Sequence, residues 1–317
     1  VILWVVRRVG ISLALVWIVA TVVFTVIHLV PGDPAELLLS SGGTAPDPAV
    51  VDELRQRLGL DRPLLTQYLA FLRGLLRGDL GASMIDDYPV IDEIALRLPR
   101  TLELILAGIL IAVLVGLPAG TYAAERRGGA FDRAAGATAA LLLAVPVFVI
   151  GTLLVLVFAQ WLRWMPAGGY VPLATDPLRH LTMLSLPALA IAKGVIAVVF
   201  RMTRASVLDA LARDYVRTAR AKGLSPRRVL LRHVLRNALI PVLTVLALQM
   251  GTLLGGTVLV EYVFNWPGLS TPLLKAVEAR DYPMVVGIVL TISVLFVAIN
   301  LVMDLVYAAL DPRIRHA

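Results

Sequence analysis

The sequence predicts an all-α integral membrane protein of about six transmembrane helices, with a helical extracytoplasmic insert after the first of them. Three observations predict it. Apolar residues make up 59% of the 317 and charged residues only 16%, against about 25% charged in an ordinary soluble domain. Mean hydropathy is +0.85. The apolar residues gather into windows of roughly the 20 residues that cross a bilayer as helix, and Lys and Arg gather beside alternate window ends.

The first window, "VGISLALVWIVATVVFTVIHLV" at 9–30, follows Arg7 and Arg8. It is too long for the apolar part of a secretory signal and no small-residue cleavage site stands out, so it reads as the first span. Further windows lie near 102–123, 134–160, 184–202, 241–263 and 285–310. Arg7 and Arg8, the turn with Arg126, Arg127 and Arg133, the segment 204–240, and Arg313 with Arg315 all fall on one side of this zigzag. The positive-inside rule makes that side cytoplasmic. An even number of spans then puts both termini of a multi-pass cytoplasmic-membrane protein inside.

The opposite side carries the insert, 31–100, in which acidic residues outnumber basic ones. "PDPAVVDELRQRLGL" opens with Asp47 as N-cap before Pro48 and stops at Gly59, which predicts a short helix. "DRPLLTQYLAFLRGLLRGDLG" repeats that start at Pro63, and Leu64, Leu65, Tyr68, Leu69, Leu72 and Leu75 form an apolar stripe. These amphipathic helices serve either as a lid on the spans or as a docking surface for an external partner. The chain as a whole, 1–317, is expected to form a single transmembrane domain, with no internal repeat.

Several chemistries are excluded. No cysteine is present, so there is neither disulfide nor thiol chemistry. No G-x-x-x-x-G-K-[ST] loop exists to cradle a nucleotide, so the chain is expected to bind no cofactor and to catalyse nothing. His28, His180, His233 and His316 are isolated from one another, which leaves no metal-ligand pairing. Ion-coupled carriers need intramembrane ionisable groups, and these are sparse: Glu103 and Glu261 near outer ends, Asp304 in the last span, and Lys193. Lys193 stands near mid-span, where a lysine costs about 2.5–3.5 kcal/mol on insertion scales unless it snorkels or meets water. It lines a wet pathway, or it serves snorkelling or helix packing.

The segment 204–240 is the densest in cations. Val207, Leu208, Leu211, Tyr215 and Ala219 trace one helical face, Gly223 supplies a stop, and Ser225 with Pro226 restarts a helix through "RRVLLRHVLRNAL". A helix, a sharp glycine turn and a second helix form a compact cytoplasmic knob. Contact with anionic head groups accounts for the charge but not for the turn.

The stretch "YVRTARAKGLSPRRVLLRHVLRNALIP" resembles the cytoplasmic EAA loop of permease subunits of binding-protein-dependent ABC importers, in the variant of the dipeptide/oligopeptide transport permease family. "LGLDRPLLTQYLAFLRGLLRGDLG", "LPRTLEL", "LVEYVFNWPGLSTPLLKAVEARDYPMV" and "NLVMDLVYAALDPRIR" resemble that family's recurrent stretches in the same order, so the likeness covers nearly the whole chain. It implies the type I ABC importer permease fold. It also implies that Arg217, Thr218, Ala219, Arg220, Ala221, Lys222, Gly223, Leu224, Ser225 and Pro226 form the element that docks in a groove of a cytoplasmic ATPase. Arg217 and Thr218 stand where the broader class has Glu and Ala, and Arg236 where many importers have Pro, which weakens any expectation of a Glu-mediated contact. The implied partners are a homologous second permease, ATP-binding subunits that hold ATP and magnesium, an extracytoplasmic peptide-binding protein, the lipid bilayer and a peptide substrate, with no nucleic acid. Nickel complexes, glutathione and murein peptides are substrates within the same family. Outside it stand an ion-coupled secondary transporter and a structural membrane adaptor.

Overall fold

The structure is a computed structural model that describes residues 2–29, 36, 47–57 and 59–310. Residues 31–35 and 37–46 of the insert, and Arg313, Arg315 and His316, lie outside the described residues. Helix is the only extended regular structure among the described residues, as hydrocarbon requires of a chain that must satisfy its own backbone. The helices are α1 (Ile2–Leu29), α2 (Pro48–Arg57), α3 (Leu64–Leu76), α4 (Val90–Glu125), α5 (Ala130–Ala144), α6 (Val147–Trp161), α7 (Pro177–Leu211), α8 (Asp214–Ala221), α9 (Pro226–Gly256), α10 (Val258–Val263), α11 (Ser270–Glu278) and α12 (Tyr282–Leu310). Single π-helical stretches interrupt α6 at Val155–Trp161 and α9 at Val229–Val234.

Five helices, α1, α4, α7, α9 and α12, are each long and apolar enough to cross a membrane, and α5 with α6 meets the same measure only as a pair, bent by 103° between them. The single straight span expected over 134–160 is therefore broken. Pro146 is the reason: it has no N–H for the Leu142 carbonyl, and it drives Val145 to an extended conformation, φ −78° and ψ 129°.

The chain divides into two compact units. The first comprises 1–99, 268–301 and 312–317. Here α3 lies along α1: the Thr21 and Tyr68 hydroxyls are 2.7 Å apart, and the Phe24 ring sits 5.3 Å from Tyr68 and 5.5 Å from Phe71. The expected caps are present, with the Ala49 N–H donating to Asp47 Oδ1 at 3.0 Å at the start of α2. The apolar stripe of α3 is half-buried at Tyr68, Leu72 and Leu75 and exposed at Leu64, Leu65 and Leu69, so it rests on its neighbours without closing a core. The core of this unit is Val90 and Ile94 of α4 against Leu269, Ala276, Met284 and Ile288.

The second unit, 100–267 with 302–311, is organised around α7, the most buried of the spans. Gly108, Ala112, Gly116 and Gly120 recur every fourth residue of α4 and therefore share one face. That face lies against α7 so closely that an added Cβ at Gly108 would stand 2.7 Å from Ile191 Cγ2, at Gly116 2.9 Å from the Ile196 carbonyl oxygen, and at Gly120 2.6 Å from the Phe200 carbonyl oxygen. Ala112 is fully buried with Val195 and Val199. Small residues at this spacing let two helix backbones approach and gain dispersion contacts that lipid tails cannot supply. The Gly251 and Gly255 pair has the same spacing without the same use, because a Cβ at Gly255 meets no heavy atom within 4 Å.

A direct test compares these two positions. Gly120→Ala drives a methyl against the α7 backbone and is expected to cost about 1–3 kcal/mol, lowering the unfolding temperature of the detergent-purified chain, whereas Gly255→Ala, in open space within a helix, leaves it the same or slightly raised. Equal unfolding temperatures for the two variants would show that the α4–α7 approach is looser than described.

Candidate functional site

The cationic segment folds as a knob with an apolar inside and a charged outside. Helix α7 ends at Leu211, an extended Arg213 (φ −76°, ψ 148°) re-aims the chain, and α8 follows. This break rotates the apolar face relative to a continuous helix. Val216 is buried and Tyr215 is exposed, a correction to the face expected from the sequence. Val216 and Ala219 pack with Val207, Ala210, Val229, Val234 and Ala238 in one cluster that also takes in Ala124 of α4.

Gly223 closes the knob at φ +74°, a left-handed conformation that glycine adopts without penalty. The Gly223 N–H donates to the Arg220 carbonyl at 2.9 Å and the Leu224 N–H to the Ala219 carbonyl at 3.4 Å, the six-to-one closure of a Schellman turn. Leu224 follows half-buried against the cluster. Ser225 has the backbone of an N-cap (φ −60°, ψ 145°) and Pro226 takes the first helical position, but the serine side chain makes no capping bond. Arg217, Thr218, Arg220, Ala221, Lys222, Gly223, Ser225 and Pro226 are all exposed, with only Ala219 buried. Arg227, Arg228, Arg232 and Arg236 extend the exposed cationic surface onto α9.

Lys193 sits near the middle of α7, and its Nζ donates to the Leu142 carbonyl at 2.8 Å and to the Val145 carbonyl. The first of these is the carbonyl that Pro146 leaves without an N–H donor. A helix end inside a membrane leaves its last carbonyls unpaired, and a cation there also meets the negative end of the helix dipole. The lysine is thus the C-terminal cap of α5 at the 103° break, a use of the charge that spacing alone does not reveal.

The other end of α5 is held to the same helix. Arg204 of α7 grips Asp132 in two parallel bonds, Nε to Oδ1 at 2.5 Å and Nη2 to Oδ2 at 2.8 Å, and the Gly128 N–H adds a third at 2.9 Å. The two attachments are about 16 Å apart along α7 and about 15 Å along α5 at 1.5 Å per residue, so neither helix need bend to make both. Neither Asp132 nor Arg204 was singled out from the sequence. The available signal was a lone acid inside the basic turn "RRGGAFDRAA".

The remaining intramembrane candidates sit in structural contacts. Glu103 Oε1 is 2.8 Å from His180 Nε2, and Glu261 Oε1 accepts from the Thr101 hydroxyl at 2.6 Å. Between them the Trp266 indole N–H donates to the Arg100 carbonyl at 2.9 Å, and the Arg100 guanidinium lies 4.8 Å over the Tyr170 ring. Asp304 is half-buried in α12. Among the described residues no group of three or more His, Asp or Glu could hold a metal ion.

Residues 116–316 match the model described as "Binding-protein-dependent transport system inner membrane component", and residues 1–105 match its N-terminal companion, "Binding-prot-dependent transport system membrane comp, N-term". The chain is 44% identical over 313 residues to the "Glutathione transport system permease protein GsiC" of Escherichia coli O6:H1 strain CFT073, covering 99% of each. It is 46% identical over 299 residues to the protein of the same name from Pectobacterium atrosepticum, covering 94% of each. Among solved structures, an inward-facing form of the MetNI methionine ABC transporter shares the fold, with a TM-score of 0.57 at 15% identity over 70% of this chain and 97% of that one. A mostly helical chain with five helices able to cross a membrane and a sixth bent pair, a glycine-turned knob and these matches from end to end belongs to the permease family of binding-protein-dependent ABC importers, the inner membrane components of those systems.

Proposed function

We propose that the chain is one half of the membrane pathway of an ATP-driven importer for short peptides, with glutathione, itself a tripeptide, as the first substrate to test. The knob is the observation that carries the reading. An apolar cluster anchors it to the spans, a Schellman turn fixes its tip, and its cations face outward, which suits an element pressed into another protein. The substrate class rests on the relatives, whose likeness runs over the full length and whose name is glutathione transport.

The chain works with a homologous second permease, two cytoplasmic ATP-binding subunits and an extracytoplasmic binding protein. It performs no covalent step; ATP and magnesium are held and used by the ATPase subunits. Both termini and the knob face the cytoplasm, because Arg217, Arg220, Lys222, Arg227 and Arg228 resist translocation. When ATP binding draws the ATPases together, the knob shifts and α7 shifts with it. Because α5 is pinned to α7 by Asp132 and Lys193, the break at Pro146 moves in the same step. The pathway between the two permeases then changes the side to which it opens.

Reconstitution of the complete assembly in liposomes tests the function: ATP-dependent accumulation of labelled glutathione, competed by other short peptides and absent without the binding protein, is expected. Accumulation by this chain alone under an ion gradient would replace the importer with a secondary carrier.

Gly223→Val puts a β-branched residue at φ +74°, costing about 1 kcal/mol or more locally. Uptake and ATPase association should both fall; normal values for both would remove the knob from the coupling role.

The pins make a separate prediction. Lys193→Met or Arg204→Met removes bonds to a carbonyl or carboxylate worth on the order of 2 kcal/mol. Each should lower uptake per ATP hydrolysed several-fold while ATP turnover persists, and the double variant should be little worse than either single one, because both pins serve one strut. Strictly multiplicative losses would mean the two contacts act independently.

A further inference from the structure

Helices α4 and α7 are also joined at the end away from the knob, by a contact that no part of the coupling reading uses. His180, near the start of α7, has a side chain only 1% exposed, and its ring is set between two oxygens: Nδ1 lies 2.7 Å from the Val171 carbonyl and Nε2 2.8 Å from Glu103 Oε1 of α4. Ring carbons do not approach oxygen so closely, so it is the nitrogens that face both acceptors. A carbonyl only accepts, which requires a proton on Nδ1. A second proton is then required between Nε2 and Oε1, because a ring lone pair and a carboxylate oxygen at that distance repel. Imidazolium with carboxylate and imidazole with carboxyl satisfy this equally. In either form the pair holds one proton more than a neutral histidine beside an ionised glutamate.

The contact fastens more than two side chains. The Val171 carbonyl belongs to the segment 162–176 between α6 and α7, which is also held by the Gly169 N–H, donating to the Phe264 carbonyl at 2.9 Å, and by the Tyr170 ring, edge-on to Trp266 at 5.0 Å. Other groups surround the ring without bonding to it. Tyr170 presents its ring at 5.7 Å and Trp266 at 6.2 Å, and the Arg100 guanidinium of α4 lies over the far ring, Tyr170. Glu261 accepts from the Thr101 hydroxyl, and Asp176 and Arg179, at the start of α7, are exposed. Among the described residues Glu103 is the charged group within bonding distance of the ring. Its side chain is 29% exposed, which gives the buried proton a way to exchange.

We propose that His180 and Glu103 form a proton-operated clasp, which holds α4 to the start of α7 and to the segment 162–176 while the pair keeps its proton and releases them as external pH rises. That this end faces outside rests on the importer reading above; the proton count does not. Removing the proton sets a lone pair against a carboxylate, so the contact is present on the acid side and lost toward alkaline pH. A further proton at the acid end leaves Nε2–H donating to a neutral carboxyl, and the clasp stays shut. Alternating access requires the outer end to close behind a substrate, so release of the clasp lowers uptake.

Because the chain has no cysteine, Leu106→Cys with Leu173→Cys puts one spin label on α4 near Glu103 and one on the segment near Val171, both at exposed positions. Pulsed spin-resonance distances on the full chain in nanodiscs, scanned from about pH 5 to 9 around the ordinary titration of imidazole, should shift from a narrow, short population to a longer, broader one as pH rises. Glu103→Gln should stay short throughout, because its carboxamide N–H donates to Nε2 of a neutral ring while the Val171 bond persists. His180→Ala should be long throughout; if it does not fold, Glu103→Gln still decides. A wild-type distance that does not move, or a Glu103→Gln distance that moves as wild type does, overturns the clasp. In the complete importer, glutathione uptake by wild type should fall several-fold relative to Glu103→Gln across the same external pH step, a ratio that cancels any pH dependence of the partners. A constant ratio overturns the role in transport. No uptake by either at any pH, with the distance shift intact, counts against the importer reading and leaves the clasp standing.

Discussion

Everything in the second unit depends on how closely α4 approaches α7. Lipid tails are as apolar as leucine, so burying apolar surface gives no reason for two helices to prefer each other in a bilayer. Contact distance does, and here it is set by Gly108, Ala112, Gly116 and Gly120, where the absence of larger side chains lets the Ile196 and Phe200 carbonyls lie against α4. That seam leaves the opposite faces of α7 to be covered by α5, α6 and α9. It also places Thr203 and Arg204 beside Gly120 of α4, about two turns before α7 ends at Leu211 and delivers the chain to the knob.

With α7 fixed on one side, the charges on its other faces can be used to hold a helix that is not continuous. A break of 103° inside hydrocarbon would strand the carbonyls at the end of α5, each costing several kcal/mol unpaired. Lys193 supplies donors for two of them, so the desolvation cost of the lysine and that of the carbonyls offset each other. Asp132 and Arg204 do the same for each other at the aqueous end. The acidic groups at the end away from the knob follow the pattern: Glu103 faces His180, and Glu261 faces Thr101. The sparse intramembrane charge is thus engaged in holding helix ends and loops together, an arrangement that differs from the ionisable pathway of a self-sufficient carrier.

The parts legible in the sequence were those set by one segment at a time. Apolar window length gave the crossings, the Gly223 and Pro226 spacing gave the knob, and Asp47 gave its own cap, because each is decided within a few residues. The break at Pro146 was hidden inside an apolar run long enough for a straight span, since hydropathy averages over a proline. Tyr215 and Val216 exchanged places because the turn at Arg213 resets a helical phase that a periodicity count carries straight through. Pairings such as Lys193 with Leu142 and Arg204 with Asp132 join residues far apart in the chain, and a single sequence holds no information on which distant groups meet. The small-residue row of α4 was visible in principle, but the same spacing at Gly251 and Gly255 shows why spacing alone does not separate a packed seam from a chance pair.

The knob and the strut meet in one geometric requirement. Under the coupling proposed above, a displacement of the knob reaches α5 only if three joints between Gly223 and Pro146 are stiff: the Schellman turn, the bend at Arg213 and the attachment of α5. The turn is fixed by two backbone bonds and a half-buried Leu224. The bend has no cap of its own, but the apolar cluster joins residues on both sides of it, Val207 and Ala210 before and Val216 and Ala219 after, so it cannot open without exposing that cluster. The attachment of α5 has two points, and two points fix orientation where one would leave a pivot. The exposed cations take no part in this stiffness. They face away from the cluster at every position from Arg217 to Arg236, so the stiffness of the knob and its surface charge are set by different residues.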